Sequence, residues 1–366
     1  MTGGQLSPPV LDVHGLSVDY LGEHGTVHAV TDVSFTLRRG EVLGLAGESG
    51  SGKSTLAYAA ARLLPESAVI SAGEVFFYPG AQQGQSGGAS APINLLSLST
   101  KELRRYRWSD VAVVFQSAMN ALNPVMTLGA QIDDVLLTRR PRMRGRERTA
   151  RAHELLRLVG ISSERIKSYP HELSGGMRQR AGIALALALS PQIIIMDEPT
   201  TALDVVVQRE ILGELLRLRE QLEFAVIFIT HDLSLLLELA DRVAIMYAGR
   251  LVEQATQREL YQAPRHPYSY GLINSFPKLR GPRHTAVGIP GSPPDLRSLP
   301  SGCAFHPRCP LAFDVCQSVI PQLRTVSPGS EQLVACHLYD PAYRPAPPDT
   351  SEIAAGYQAL VEGSRR

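Results

Sequence analysis

The chain lacks the long apolar runs that cross membranes. A membrane helix requires roughly 18 consecutive apolar residues, and the longest candidate stretch, residues 181–189, is too short. The first ten residues also lack a basic stretch followed by an apolar segment, the pattern of a secretory signal peptide. We therefore expect a cytoplasmic protein that reaches a membrane only through other chains.

An excess of charge of either sign is also lacking. The 366 residues include 36 basic and 35 acidic side chains, which gives a net charge of +1. Because proteins that coat nucleic acid carry a clear excess of basic residues, this balance argues against nucleic acid as a partner. Apolar residues make up 44% of the chain, an ordinary value for a globular protein. The length allows a sizeable core and more than one domain.

Cysteine is scarce and confined to one part of the chain. The four cysteines are Cys303, Cys309, Cys316 and Cys336. In a reducing compartment, such clustering favours a metal or iron–sulfur site over disulfides. No C-x2-C pair occurs, although structural zinc sites usually have one. Cys309 precedes a proline, as one ligand does in many ferredoxins. An iron–sulfur cluster, zinc and free thiols are all left open by these residues.

What the chain does contain is a set of phosphate-handling motifs. Residues 47–54, here called the glycine loop, read Gly-Glu-Ser-Gly-Ser-Gly-Lys-Ser and fit the pattern G-x-x-x-x-G-K-[ST]. An apolar strand pattern precedes the loop and a helical pattern follows it, so its backbone N–H groups can face phosphates at a helix N-terminus. The pattern assigns the lysine to the β- and γ-phosphates and the following serine to Mg²⁺. The predicted nucleotide-binding residues are Gly47, Ser49, Gly50, Gly52, Lys53, Ser54 and Thr55.

A second apolar strand, residues 193–196, ends at two acidic residues, Asp197 and Glu198. Open α/β sheets place their ligands at the carboxyl ends of strands. Asp197 is therefore predicted to hold Mg²⁺ through water. Glu198, one residue further on, is predicted to act as a general base or to orient the attacking water.

Two further motifs complete an ordered set. Residues 173–180, here called the signature, read Leu-Ser-Gly-Gly-Met-Arg-Gln-Arg, and residues 230–232 read Thr-His-Asp. With these motifs in this order, residues from about 11 to 260 resemble the ATPase cassette of ABC transporters. The resemblance implies an α/β fold, with a P-loop NTPase (RecA-like) core, an antiparallel β subdomain and a helical subdomain. It implies ATP and Mg²⁺ as ligands and ATP hydrolysis as the activity.

The resemblance also assigns roles across a dimer. Ser174, Gly175 and Gly176 begin a helix, where the serine can cap the N-terminus and the glycines let a phosphate approach the exposed N–H groups. In the family, this motif binds the γ-phosphate of ATP held by the opposite subunit. Asp204 matches the loop that crosses the dimer interface.

Three more site residues come from the same resemblance. His231 is assigned to the γ-phosphate as the switch histidine. Gln116 is assigned to Mg²⁺ or the lytic water and to sensing of the transmembrane partner. Tyr20 is a candidate to stack on the adenine ring.

The remainder of the chain resembles another part of the same transporters. Residues 266–270, His-Pro-Tyr-Ser-Tyr, and residues 302–310, Gly-Cys-Ala-Phe-His-Pro-Arg-Cys-Pro, closely resemble the C-terminal region of dipeptide and oligopeptide importer ATPases. Some of those carry a [4Fe-4S] cluster, which implies ligation by the four cysteines. The predicted division is a cassette over residues 11–260, a small Cys-rich C-terminal domain over 261–345, and a tail over 346–366. The tail is expected to be a loosely attached helix or a disordered segment. We refer to residues 261–345 as the C-terminal region.

The predicted function is that of the ATP-hydrolysing subunit of an ABC importer for di- and oligopeptides or related small solutes. Its partners would be a second ATPase subunit, identical or a sister chain, two transmembrane permease subunits and, indirectly, an extracytoplasmic binding protein. It would lie peripherally at the cytoplasmic face of the inner membrane. The alternatives are an ABC exporter ATPase, a soluble ABC ATPase acting on DNA or ribosomes, and a redox-responsive regulator built around the cysteines. The single cassette and the lack of sustained heptads before the signature argue against the soluble class.

Overall fold

The computed structural model describes residues 7–22, 25–80, 91–107, 109–115, 122–200, 203–275, 288–327 and 329–363. Strands in these ranges form two sheets. The strands are β1 (Pro9–Gly22), β2 (Gly25–Arg38), β3 (Val42–Ala46), β4 (Ala68–Phe77), β5 (Ile93–Asn94), β6 (Val111–Val114), β7 (Ile193–Asp197), β8 (Ala225–Ile229), β9 (Arg242–Tyr247), β10 (Arg250–Thr256), β11 (Arg324–Thr325) and β12 (Leu333–Val334).

The larger sheet has eight strands in the order β11-β12-β10-β9-β3-β8-β7-β6. Strand β3 lies between β8 and β9 and is parallel to both, and β7 and β6 continue the parallel part. Strands β3, β7 and β8 are buried at every residue, as expected for a parallel sheet covered on both faces. The predicted α/β class is confirmed, and the carboxyl ends of these strands meet at one edge of the sheet.

Alternate residues of the central strands pack into two separate hydrophobic cores on opposite faces of the sheet. In β8, Val226 and Phe228 pack into one hydrophobic cluster, whereas Ile227 and Ile229 pack into the other. Because side chains alternate across a strand, an unbroken apolar run fills both faces. The sheet is thereby fixed in position, and with it the loops that leave its carboxyl edge.

The smaller sheet has four antiparallel strands in the order β2-β1-β4-β5. In β2, Val33, Phe35 and Leu37 are buried while the residues between them are less so. This period-two pattern is typical of a sheet with one covered face, and the sheet corresponds to the antiparallel β subdomain that the family resemblance implies.

The α-helices of the described ranges lie around these sheets. They are α1 (Lys53–Ala60), α2 (Thr100–Tyr106), α3 (Leu128–Arg139), α4 (Gly145–Leu158), α5 (Gly175–Ala186), α6 (Val205–Leu222), α7 (Leu233–Leu239), α8 (Gln257–Gln262), α9 (Pro267–Asn274) and α10 (Thr350–Gly363). Helices α3 and α4 pack on each other and on α5, which forms the predicted helical layer. No helix in the part of the chain that the structure describes is long and apolar enough to span a bilayer.

The C-terminal region is joined to the cassette rather than set apart from it. Strand β12 pairs with β10 and so extends the larger sheet. Phe305 belongs to the same hydrophobic cluster as Val226 and Phe228 of β8. Glu253 of β10 is fully buried, and its carboxylate accepts hydrogen bonds from the backbone N–H of His266 and from Gln332 Nε2, each at 2.8 Å. The separate Cys-rich domain that the sequence predicts is therefore not confirmed.

The predicted tail is also more firmly attached than expected. Residues 346–366 were expected to form a loose end, but α10 packs against α9. Ile353 and Tyr357 are buried, and the Tyr357 hydroxyl donates to the Pro267 carbonyl oxygen at 2.9 Å. A buried tyrosine hydroxyl requires a hydrogen-bond partner, and the Pro267 carbonyl oxygen supplies it. The sequence of a short terminal segment does not reveal so distant a partner.

Candidate nucleotide site and cysteine cavity

The glycine loop follows β3 and leads into α1. Gly47 has φ +146° and Gly52 has φ +98°, a region that favours glycine. A Cβ on Gly47 would lie 2.2 Å from the Met246 carbonyl oxygen, and one on Gly52 would lie 2.3 Å from the Ala29 carbonyl oxygen. Both glycines are thus required by φ and by close backbone contact.

Lys53 directs its charge into the centre of this loop. Its Nζ donates to the carbonyl oxygens of Gly47 at 2.9 Å and Glu48 at 2.8 Å. Burial lowers the pKa of Lys53, and the charges of Glu198 and Asp197 oppose that shift. The two acidic residues at the end of β7 therefore lie near enough to the lysine to act on its charge.

Asp197 is buried and holds two hydroxyl groups. Ser54 Oγ donates to Oδ1 of Asp197 at 3.0 Å, and the Tyr58 hydroxyl donates to Oδ2 at 2.6 Å. A serine hydroxyl beside a carboxylate is a donor set that suits Mg²⁺, so two of the predicted metal residues, Ser54 and Asp197, meet here. Sequence reasoning missed Tyr58, although it lies four residues after Ser54 and thus on the same face of α1.

Glu198 and His231 form a pair at the ends of neighbouring strands. His231 Nδ1 lies 3.3 Å from Glu198 Oε1. The N–H of Glu198 donates to the Ile229 carbonyl oxygen at 2.9 Å, and Glu198 has φ +46°. Such a conformation costs about 1–3 kcal/mol in a non-glycine residue and recurs at functional sites. The turn aims the glutamate towards the histidine beyond β8.

Tyr20 reaches the same part of the molecule from the smaller sheet. Its hydroxyl lies 3.3 Å from Oγ1 of Thr55, just inside α1. This contact places the ring beside the end of the glycine loop. The role of the ring towards adenine stays a prediction.

The predicted dimer residues lie on other helices. Ser174 caps α5, with its Oγ accepting from the Met177 N–H at 3.3 Å. Asp204 caps α6, with Oδ1 accepting from the Val206 and Val207 N–H groups at 3.1 and 3.0 Å. These bonds stay within their own helices, so one chain assembles the phosphate and metal residues without the signature. Gln116 lies outside the described residues.

Sequence reasoning missed a contact between the glycine loop and the C-terminal region. Arg308 Nη1 lies 2.7 Å from Glu48 Oε2, and Nη2 lies 3.0 Å from Oε1. The Tyr268 hydroxyl accepts from the Glu48 backbone N–H at 2.8 Å. Both partners occur in the segments that carry the family resemblance, but nothing in the sequence pairs them with the loop.

The four cysteines line one small cavity with His306 and His337, here called the cysteine cavity. Burial raises the pKa of Cys303 to about 11 and that of Cys309 to about 12. Over the ranges that the structure describes, no group of three or more His, Cys, Asp or Glu side chains is arranged to hold a metal ion. The positions of these side chains therefore do not support the predicted iron–sulfur cluster.

Comparison with known proteins covers most of the chain. Residues 30–201 match the family model described as ABC transporter, and residues 252–316 match the oligopeptide/dipeptide transporter C-terminal region. A probable peptide ABC transporter ATP-binding protein of Sinorhizobium fredii is 44% identical over 324 residues, covering 87% of this chain and 92% of that protein. The oligopeptide transport ATP-binding protein OppD of Salmonella typhimurium is 42% identical over 335 residues, covering 89% and 93%.

Solved structures show the same fold. A dimeric ATP-binding cassette in a post-hydrolysis state with ADP and phosphate matches with a TM-score of 0.57 at 28% identity, covering 68% of this chain and 99% of that one. The protein cbiO1 of Clostridium perfringens, part of the ABC transporter complex cbiONQ, matches with a TM-score of 0.56 at 27% identity, covering 69% and 90%. The family predicted from the sequence is confirmed. The chain is an ATPase that belongs to the family of ABC transporter ATP-binding proteins carrying the oligopeptide/dipeptide transporter C-terminal region.

Proposed function

We propose that this chain is the ATP-hydrolysing subunit of an importer that takes up di- and oligopeptides or related small solutes through separate transmembrane subunits. The observation that carries the proposal is the meeting of Lys53, Asp197 and the Glu198–His231 pair at one sheet edge. It occurs in a chain whose remaining length resembles peptide-transport ATPases.

The residues of the site divide the chemistry between them. The N–H groups of the glycine loop and the Lys53 ammonium bind the phosphates. Ser54 and Asp197 would hold Mg²⁺, which supplies positive charge against the phosphate oxygens. Glu198 orients the attacking water and takes its proton, since a positioned carboxylate serves as a general base. His231, whose Nδ1 lies 3.3 Å from Glu198 Oε1, would contact the γ-phosphate.

The proposed working unit is a head-to-tail pair of cassettes. Ser174 and Asp204 are exposed, and Val205 and Val206 are each 67% exposed at the start of α6. Apolar side chains exposed beside a helix N-terminus suit a partner surface. Each ATP would lie between one chain's glycine loop and the signature of the other, an identical or sister subunit. Gln116 would face the permease subunits at the cytoplasmic side of the inner membrane, and the extracytoplasmic binding protein would act through them.

We also propose that the cysteine cavity holds a [4Fe-4S] cluster, as the resemblance implies. Four thiols around one cavity are the donor set of such clusters. The cluster would stabilise the C-terminal region, residues 261–345, beside the cassette, residues 11–260.

Metal analysis tests the cluster directly. Protein purified without oxygen is expected to contain about four irons per chain and to absorb broadly in the visible range. Cys309→Ser should lose this absorbance, whereas Ser318→Ala, a small polar change on the same stretch of chain, should keep it. One equivalent of zinc with no iron after anaerobic reconstitution would contradict the proposal.

Affinity purification from the native membrane tests the transport assignment. We expect two permease subunits and one further ATPase subunit to copurify in stoichiometric amounts. Stoichiometric ribosomal proteins or DNA, with no integral membrane subunit, would instead favour the soluble alternative.

A further inference from the structure

The C-terminal region forms hydrogen bonds to one residue of the glycine loop, Glu48, through Tyr268 and Arg308. Its carboxylate is paired with both terminal nitrogens of the Arg308 guanidinium, at 2.7 and 3.0 Å. Such two-point pairing fixes orientation as well as distance. The backbone N–H of Glu48 is bound at the same time by the Tyr268 hydroxyl. Glu48 is therefore held by two elements that both come from beyond the cassette.

Arg308 is itself firmly placed. Its side chain is 6% exposed, and its Nε donates to the Pro290 carbonyl oxygen at 2.7 Å. The guanidinium lies 5.7 Å from the centre of the Tyr247 ring and 5.9 Å from that of Phe305, within the range of a cation–π contact. A guanidinium fixed on so many sides gives Glu48 a rigid partner.

The same residue is tied to the phosphate-binding lysine. The carbonyl oxygen of Glu48 accepts from Lys53 Nζ at 2.8 Å. The N–H, carboxylate and carbonyl groups of Glu48 thus connect Tyr268, Arg308 and Lys53 in one network. A shift of Glu48 would move the backbone that lines the loop, because the lysine and the loop carbonyls share these bonds.

We propose that Arg308 and Tyr268 are positioning residues that hold the glycine loop, through Glu48, in the conformation that binds nucleotide phosphate. The C-terminal region thereby sets the nucleotide affinity of the ATPase. This inference rests on the proposed nucleotide site and adds to it the dependence on a distant part of the chain. If the loop spent about a tenth of its time in the binding conformation once Arg308 and Tyr268 no longer held Glu48, the dissociation constant for ATP would rise about tenfold.

The test measures the dissociation constant of a fluorescent ATP analogue with Mg²⁺ on the purified full-length chain, with the melting temperature recorded in parallel. Arg308→Met removes the guanidinium but keeps the long stem, and Tyr268→Phe removes only the hydroxyl. Arg324→Met is the matched control, because Arg324 pairs with Asp340 at 2.8 Å inside the C-terminal region. Tyr270→Phe is the control for the tyrosine, since Tyr270 lies on the same helix and stacks on Tyr357.

We expect Arg308→Met to weaken binding about tenfold, with a smaller loss for Tyr268→Phe. Arg324→Met should stay within about twofold of the parental affinity, because a partly exposed ion pair contributes little to stability. Tyr270→Phe should do the same, because it keeps the ring that stacks on Tyr357. Arg308→Lys should recover part of the affinity, as it restores charge without the two-point pairing. In the double variant Glu48→Gln with Arg308→Met, affinity should fall no further than in Arg308→Met alone.

Two outcomes would overturn the inference. One is a folded Arg308→Met protein with parental affinity, and the other is an equal loss of affinity in Arg324→Met, which would indicate general destabilisation. Lys53→Ala separates this failure from failure of the nucleotide site. If Lys53→Ala weakens binding while Arg308→Met does not, the positioning role of Arg308 is wrong but the nucleotide site stands. If both variants bind with parental affinity, the assignment of the nucleotide site is wrong as well.

Discussion

Among single side chains, Glu198 carries the most direct chemical prediction. Glu198→Gln keeps the shape of the side chain but removes the carboxylate that faces His231. We expect ATP binding to persist and turnover to fall by about 10²–10⁴-fold, the usual contribution of a general base. The measurement is phosphate release by the purified transporter, with Glu220→Gln on an exposed part of α6 as the control.

Near-normal turnover in Glu198→Gln would contradict the assignment of Glu198. If the partner ATPase is a sister chain with its own competent site, the loss would reach only about half of the activity, since half of the sites would be altered.

The residues that could be predicted from the sequence are those whose meaning is local. The glycine loop needs its glycines and lysine within eight consecutive positions, and Asp197 and Glu198 directly follow an apolar strand. Their spacing alone predicts chemistry, and the structure brings them to one edge of the sheet. Arg308 escaped prediction because its partner, Glu48, lies 260 positions away along the chain. Only a fold can bring such a pair together.

At the scale of elements, the start of α9 depends on a buried histidine. His266 is 1% exposed, and its Nδ1 accepts the Tyr268 N–H at 3.0 Å, which caps the helix. Burial lowers the pKa of His266 from 6.5 to about 3. The unfolded chain therefore takes up a proton below about pH 6.5 that the folded chain excludes. Stability is lost as the pH falls from 6.5 towards 3.

This shift makes a measurable prediction for the free energy of unfolding. Between pH 7 and pH 5 the parent protein should lose about 2 kcal/mol through His266, at about 1.4 kcal/mol for each unit below 6.5. His266→Asn keeps a capping acceptor but cannot titrate, so its unfolding free energy should depend less on pH. Urea unfolding at pH 7, 6 and 5 measures the difference, with exposed His171→Asn as control. Parallel pH dependences of parent and His266→Asn would contradict the account.

Elements marked by an unbroken apolar run were predictable from the sequence, and short or terminal elements were not. The buried strands β3, β7 and β8 were visible as apolar runs. Strands β11 and β12 have two residues each, too few to show any period. Helix α10 was expected to be loose because its attachment depends on Tyr357 and Ile353, which are buried only against distant residues. Tertiary contacts rather than local pattern decide such segments.

At the scale of the whole molecule, the signature is predicted to act between chains. Ser174→Arg places a bulky cation at the exposed start of α5, where the phosphate of an opposite ATP would lie. The isolated chain should still bind ATP, but the ATP-driven dimer should fail to close. Ser99→Arg is a matched control, because Ser99 caps α2 by the same kind of bond.

Size-exclusion chromatography with light scattering measures this dimer, in a Glu198→Gln background that keeps ATP intact. We expect dimers with the parent signature and with Ser99→Arg, and monomers with Ser174→Arg. ATP-dependent dimerisation of Ser174→Arg would contradict the role of the signature between chains.

The central claim is that hydrolysis at the Glu198–His231 pair powers import of peptides. Uptake of labelled di- and oligopeptides into proteoliposomes tests it most directly, with the complete transporter in the membrane, its binding protein on the binding side and ATP on the ATPase side. The account predicts ATP-dependent peptide accumulation with the parent chain and with Glu220→Gln. With Glu198→Gln it predicts none above background or, if the partner ATPase is a sister chain with its own competent site, about half of the parental rate. Peptide accumulation at the parental rate in Glu198→Gln, or vigorous ATP hydrolysis by the parent transporter that moves none of the peptides, would contradict it.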